Sequence, residues 1–179
     1  MDRLARYLWV FPSTTYNSLR HKAKEVPFLV VLLLSFWSYA QKSIFNTAQE
    51  KKKILELHHL ERVYHFNKDS VGFVGLFSDN FISVNKGQIT TPSHEESMAK
   101  YATYFSLVEF VKWDDVAQPI IRFSEDGTMA YKIVDKIVEI KYKNEKGEEQ
   151  RNKSHFAWTT IYKKYGGNWK IECVTSTKK

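Results

Sequence analysis

The sequence of 179 residues contains a single cysteine, Cys173, so no disulfide can form within the chain. Cys173 lies between Ile171 and Val174 in an apparent strand. This position favours a small buried apolar residue over a reactive thiol. The length allows one domain with a proper core and is too short for two ordinary domains.

The motifs of several enzyme classes are missing. The sequence has no glycine-rich phosphate loop, no Gly-x-Ser-x-Gly elbow, no zinc-type helix motif and no cysteine cluster. Hydrolase, kinase and redox functions therefore lack support, and no cofactor is predicted.

Three histidines fall on one predicted helix without forming a metal site. His58 and His65 share a face but lie about 10.5 Å apart along the axis, which is too far to bind one ion. His59 and His65 point in different directions. No metal is predicted, and His65 is interpreted either as a surface or capped histidine or as a proton shuttle at a cavity edge.

The chain also lacks an apolar run of the roughly 20 residues that a membrane-spanning helix needs. The apolar segment 26–40 has 15 residues, follows a basic stretch and ends in Ser38-Tyr39-Ala40. This pattern predicts a signal peptide over residues 1–40, export to the periplasm or the medium, and no stable membrane insertion after cleavage. A retained membrane anchor is the alternative. The long stretch before the apolar run would be explained by translation starting near Leu19.

The basic excess of the chain is modest. Removal of residues 1–40 takes five Lys/Arg and two Asp/Glu from totals of 27 and 20, and so lowers the formal net charge from +7 to +4. Most of the remaining cations alternate with acids, as solvated faces and hairpin tips do. No nucleic-acid partner is predicted.

Helical patterns come first in the chain and strand patterns last. Apolar residues recur at helical spacing over 48–67, where Ile54, Leu57, Leu60 and Tyr64 form a stripe. Ser93 and Glu96 form a capping box at the start of a later helix. A short helix is predicted over 70–76 and a loop that enters a short strand over 77–84. Long strands are predicted over 109–123, 128–142, 154–165 and 168–177. This order predicts an α+β fold in which one face of the sheet is covered.

Four turn and core segments carry a resemblance to a known family: Trp113-Asp114-Asp115, Pro119-Ile120-Ile121, Asp126-Gly127-Thr128-Met129-Ala130 and Gly167-Asn168-Trp169-Lys170-Ile171. With the order of elements, they resemble exported bacterial members of the nuclear transport factor 2-like (NTF2-like) superfamily, in its SnoaL-like branch. The resemblance covers about 46–177 and assigns the domain to residues 41–179.

The resemblance implies a cone-shaped half-barrel, in which a curved antiparallel sheet wraps around N-terminal helices and leaves a cavity at the wide end. It also implies a homodimer formed through the outer face of the sheet. Members of this superfamily include isomerases, dehydratases, cyclases and binding modules, so the fold does not fix the function.

The middle long strand carries the candidate catalytic residues. Lys132 and Lys136 share one side, which is predicted to face water and thereby directs Tyr131 and Asp135 into the cavity. Asp135 among aromatic residues would have a raised pKa and could act as a general base, with Tyr131 donating to an oxyanion. Alternatively, Asp135 lies on the rim or pairs with a lysine. A shift in the apolar alternation predicts a β-bulge near 137–138.

The candidate ligand-binding residues are mostly aromatic. Trp158 is expected to line an apolar cavity with Trp113 and Tyr64, although ordinary core packing explains the same residues. Asp114 and Asp115 point to opposite faces of a strand, so only one of them, taken as Asp115, can enter the cavity.

Three functions are compatible with these patterns. The first is an exported small-molecule-binding or accessory domain with an aromatic-lined pocket for a small hydrophobic or aromatic ligand. The alternative is a cofactor-free lyase or isomerase that uses Asp135 or Asp115 as its base and Tyr131 or Tyr64 to polarise the substrate. The third, a structural partner-binding module, predicts a cavity filled by its own side chains.

Overall fold

The structure is a computed structural model that describes residues 45–179. The predicted signal peptide, residues 1–40, lies outside the described residues. Within 45–179, no helix is both long and apolar enough to cross a membrane.

Each helix in this range begins at a side-chain cap. Asn46 accepts a hydrogen bond from the amide of Gln49 at the start of α1, which spans Thr47–Asn67. Asp69 caps the short α2, Ser70–Val74. The predicted capping box opens α3, His94–Leu107: Ser93 Oγ accepts from the Glu96 amide at 3.1 Å, and the Glu96 carboxylate accepts from the Ser93 amide at 2.7 Å.

The strands are β1 Phe77–Asn85, β2 Gln88–Thr90, β3 Val108–Asp115, β4 Ile120–Phe123, β5 Met129–Lys143, β6 Glu149–Tyr165 and β7 Asn168–Lys178. They form one curved, unclosed sheet in the spatial order β2-β1-β7-β6-β5-β3, with β4 also paired to β5. β1 pairs with β7 in parallel, and the other neighbours are antiparallel. The predicted half-barrel is thus confirmed, except that its sheet is mixed and not wholly antiparallel.

The strand predicted over 109–123 is two strands that lie end to end along one edge of β5. β3 pairs with the second half of β5, from Lys136 to Tyr142, and β4 pairs with the first half, from Ala130 to Ile133. Residues 116–119 separate them and end in Pro119, which has no amide proton for the ladder.

The bulge predicted near residues 137–138 is wrong. β5 pairs with β6 without a register shift from Met129 to Lys143, and the buried side keeps one parity from Ala130 to Val138. The irregularity lies on the neighbouring strand, between Phe110 and Lys112 of β3. The bend of the sheet at this level is therefore associated with β3.

α1 packs against the inner face of the sheet, and several of its buried side chains are ionisable. Its buried residues are Glu50, Ile54, Glu61 and His65, whereas the predicted stripe residues Leu57, Leu60 and Tyr64 are only half-buried. Glu50 fixes the first turn, because its Oε2 accepts from Trp169 Nε1 at 2.6 Å. The helix is thus held by polar contacts at Glu50 and at Glu61, about 16 Å further along its axis.

Candidate functional site

A cavity of about 380 Å³ opens between the helices and the inner face of the sheet. Its wall is mainly aromatic. The helices and β1 contribute Phe73, Phe77, Phe81, Tyr101 and Tyr104, and the sheet contributes Trp113, Phe156 and Trp158. A dry cavity of about 150 Å³ accommodates benzene, so this space is large enough for a ligand of two or three rings.

Two of the predicted aromatic residues line the cavity. The Trp113 and Trp158 rings lie with their centroids 5.1 Å apart, and Trp158 Nε1 donates to Ser176 Oγ at 2.7 Å. Trp113 Nε1 is buried without a hydrogen-bond partner among residues 45–179. Tyr64 lies elsewhere: its ring packs so closely on Gly72 of α2 that a Cβ there would come within 2.5 Å of Tyr64 Cε1.

The predicted inward orientation of Tyr131 and Asp135 is wrong. Tyr131 is 41% exposed on the outer face, and Asp135, also exposed on that face, binds the His155 ring of β6. The lysines that were expected to face water, Lys132 and Lys136, are 0% and 1% exposed. Asp135 and Tyr131 therefore cannot form a base and an oxyanion donor inside this cavity.

Lys132 and Lys136 lie on the inner face of the sheet because acidic side chains pair with them there. Lys132 Nζ donates to Glu61 Oε1 at 2.7 Å and to His58 Nδ1 at 3.0 Å. The Tyr162 hydroxyl donates to the same Glu61 oxygen at 2.9 Å. A buried ammonium is tolerated when it is paired and hydrogen-bonded, and these contacts meet that requirement.

The network continues from His58 towards the surface through Asp115. The two oxygens of this carboxylate lie 2.7 Å from His58 Nε2 and 2.6 Å from Lys136 Nζ. Asp115 does not line the cavity, in contrast to its predicted ligand-binding position. Burial alone would raise the pKa of Asp115, but hydrogen bonds from Lys136 and His58 lower it.

The charges of this network cancel. An ammonium group can only donate hydrogen bonds, so His58 Nδ1 must accept from Lys132, and His58 Nε2–H then donates to Asp115. His58 is therefore neutral in this arrangement. Two lysines and two carboxylates remain, with a net charge of zero.

Glu61 and His65 bring hydrogen-bond acceptors to the cavity wall. His65 Nδ1 lies 2.6 Å from the Glu61 carbonyl oxygen, so it carries the proton and leaves Nε2 as an acceptor. Glu61 Oε2 receives no hydrogen bond from the described residues; His58 Nδ1 is 3.8 Å away. Since both residues line the cavity, a ligand there meets acceptors that the protein leaves free.

The protonation states of these two residues are fixed around neutral pH. Burial by itself would raise the pKa of Glu61, but the ammonium group of Lys132 outweighs it and holds that pKa well below its usual range. Burial lowers the pKa of His65 to about 4, despite the hydrogen bond to the Glu61 carbonyl. Glu61 is thus a carboxylate and His65 a neutral imidazole at pH 7.

The phenols of the wall are neutral as well. Burial raises the pKa of Tyr101 to about 12 and also raises that of Tyr104. Within residues 45–179, no group of three His, Cys, Asp or Glu side chains is placed to hold a metal ion. The cavity can therefore bind and orient a ligand through apolar contacts and a few fixed polar groups.

One pattern in the sequence indicates the buried polar residues that alternation on β5 does not predict. Glu50, Ile54, His58, Glu61 and His65 follow one another at spacings of three or four residues, which places them on one face of α1. Two residues of this stripe, His58 and Glu61, meet Lys132 on the inward side of β5. Recognising these contacts requires knowing that α1 lies across β5, and the residues concerned are more than 70 positions apart.

The fold and the cavity define the class of protein. It is an α+β half-barrel with helices over one face of an open sheet and an aromatic cavity between them. No family model matches the chain, and no curated protein is similar to it in sequence. Solved structures nevertheless superpose on it over most of its length.

One of these neighbours is an NTF2-like protein of unknown function in nutrient uptake from Rhodospirillum rubrum. It is 16% identical, with a TM-score of 0.57 over 70% of this chain and 98% of that chain. Another, from Streptomyces avermitilis, belongs to the NTF2-like family and carries a suggested dehydratase activity; it is 9% identical, with a TM-score of 0.59 over 74% and 98%. A ketosteroid isomerase-like protein from Erwinia carotovora is 15% identical, with a TM-score of 0.56 over 75% and 98%.

The chain has the NTF2-like fold, and the resemblance to that superfamily is confirmed at this level. The SnoaL-like branch stays a prediction. Identities of 9–16% relate these proteins by architecture, so activity must be argued from the cavity itself.

Proposed function

We propose that this protein is a small-molecule-binding or accessory domain whose cavity takes a small, hydrophobic, ring-shaped ligand. The observation that carries the proposal is the cavity of about 380 Å³ with eight aromatic side chains in its wall. Aromatic rings supply large apolar contact areas at low conformational cost. A structural module would instead fill this space with its own side chains.

The alternative, a cofactor-free lyase or isomerase, has less support from the same cavity. A general base works best with a pKa near the operating pH. Glu61 is the acid among the lining residues, and Lys132 holds its pKa well below the usual range against the effect of burial. The suggested bases lie outside the cavity: Asp135 on the outer face and Asp115 between Lys136 and His58. Binding is therefore preferred to turnover.

Calorimetric titration of the protein with 2-naphthol tests the proposal. The Val174→Trp variant places a large side chain in the cavity wall and is expected to weaken binding at least tenfold. Val71→Trp, at an exposed position on α2, is the matched control and should leave the dissociation constant unchanged. Absence of binding by the unmodified protein, or equal binding by both variants, would contradict the proposal.

We also propose a homodimer formed through the outer face of the sheet. That face exposes Ile120, Met129, Tyr131 and Ile133 around a shallow apolar depression. A second copy of the same surface would cover these side chains. Sedimentation analysis should give a dimer, and Ile133→Lys should shift it towards the monomer; a monomeric unmodified protein would exclude this interface.

We also propose that the protein is exported. It rests on the basic stretch, the short apolar segment and Ser38-Tyr39-Ala40 in the sequence. N-terminal sequencing of protein recovered from cell fractions should give Gln41 as the first residue. Recovery of residues before Gln41 from the exported protein would mean that the segment is retained.

A further inference from the structure

The two ends of the cavity carry different polar groups. If the cavity binds a ligand, as proposed above, this difference determines which ligand fits. Glu61 and His65 belong to the buried face of α1 and offer acceptors at the inner end. Lys100 of α3 is an exposed residue that also lines the cavity, and it therefore lies at the open end.

The inner end selects an uncharged donor. Glu61 already pairs with Lys132, and the network that contains them has no net charge, so a charged ligand group placed there would remain uncompensated. A hydroxyl or N–H group can instead donate to Glu61 Oε2 or His65 Nε2, which receive no hydrogen bonds from residues 45–179. An aprotic group would leave these acceptors desolvated and unpaired.

The open end selects a single negative charge. Lys100 is the one cation with uncompensated charge among the lining residues, and no acid within 4.0 Å pairs with it in the described part of the chain. Its Nζ lies 5.7 Å from the centre of the Tyr101 ring. One ammonium group matches one carboxylate, whereas a dianionic phosphate would call for further cations.

We propose that the ligand is a hydroxylated aromatic monocarboxylate of two or three rings, bound with its hydroxyl at Glu61 and His65 and its carboxylate at Lys100. The rings lie between Trp113 and Trp158 on one side and the aromatic residues of α2, α3 and β1 on the other. The hydroxyl fixes the orientation, and the carboxylate keeps its contact with solvent at the mouth.

Three matched ligands test this arrangement without changing the protein: 6-hydroxy-2-naphthoate, 2-naphthoate and 2-naphthol. Isothermal titration calorimetry at pH 7.5 should rank 6-hydroxy-2-naphthoate first. Loss of the hydroxyl should weaken binding about tenfold or more, because buried acceptors lose their donor. Loss of the carboxylate should weaken it about two- to fivefold, as for a solvent-exposed ion pair.

The Lys100→Gln variant separates the two ends of the site. It should remove the advantage of 6-hydroxy-2-naphthoate over 2-naphthol and keep the effect of the hydroxyl. Lys51→Gln, at an exposed position on α1, is the control and should change neither. A carboxylate effect that persists in Lys100→Gln would overturn the anion site.

The outcomes distinguish this inference from the function on which it rests. Equal affinity for all three ligands would overturn the polar arrangement and leave the aromatic binding cavity standing. Absence of binding by every ligand would overturn the proposed function itself.

Discussion

Replacement of Glu61 by glutamine removes one buried negative charge while changing the size of the side chain little. In the native protein, Glu61 Oε1 accepts hydrogen bonds from Lys132 Nζ at 2.7 Å and from the Tyr162 hydroxyl at 2.9 Å. Lys132 has no exposed surface. The Glu61→Gln variant therefore leaves a buried ammonium without its counter-charge.

The expected cost is large for a single substitution. Breaking a buried ion pair by removing one partner destabilises a protein by about 3–5 kcal/mol. The lowered pKa of Glu61 points in the same direction, because the folded protein favours the carboxylate over the protonated acid. For a chain of this length, such a loss lowers the melting temperature by about 6–20 °C.

Urea denaturation followed by tryptophan fluorescence measures the difference. Glu56→Gln is the matched control, because the same substitution on the same helix touches only an exposed pair with Lys52 at 4.0 Å. The control is expected to stay within about 0.5 kcal/mol of the native protein. A Glu61→Gln variant that is destabilised by no more than Glu56→Gln would refute the proposed buried network.

The pH dependence gives an independent signature. Because the pKa of Glu61 is depressed on folding, its contribution is fully present above pH 4.5 and is lost as the pH falls towards 2. The Glu61→Gln variant should lack this part of the acid-induced loss. Burial lowers the pKa of Lys132 and Glu61 partly restores it, so stability of the variant should rise more steeply from pH 7 to 10 than that of the native protein.

Two further predictions concern the turns and the lysines. In urea denaturation, Gly127→Ala should lower the free energy of unfolding by about 1–3 kcal/mol more than Gly147→Ala does. Both glycines have positive φ, but only at Gly127 would a Cβ meet the Phe45 ring, at 2.2 Å. Equal losses of stability in the two variants would contradict this packing. Acetic anhydride treatment followed by peptide mass spectrometry should modify Lys100 and spare Lys132 in the folded protein; rapid modification of Lys132 would place it on the outer face.

The wrong prediction for the side-chain orientation on β5 shows what a strand pattern can and cannot determine. Strict alternation over residues 129–136 correctly separates two faces. Which face is inside depends on partners, and two lysines normally favour the solvent side. Here Glu61 and Asp115 compensate both lysines, so the polar side is the buried one and Tyr131 and Asp135 are outside.

The aromatic side of β6 presents the simpler case. Phe156, Trp158, Thr160 and Tyr162 alternate with smaller or more polar residues, and no competing charges obscure the pattern. The structure places all four on the inner face. Alternation thus indicates the inner face where hydrophobicity alone selects it, and it misleads where buried charges pair over a long sequence separation.

Local sequence determined the order of elements, the capping box at Ser93, the turns between strands and hence the NTF2-like architecture, because caps, turns and periodicity act over a few residues. The tertiary structure alone decided the polar part of the cavity. Glu61 lies 71 positions from Lys132 and 101 from Tyr162, and their hydrogen bonds exist only once α1 has docked on the sheet. That docking neutralises buried charges that no neighbouring residue in the sequence could compensate.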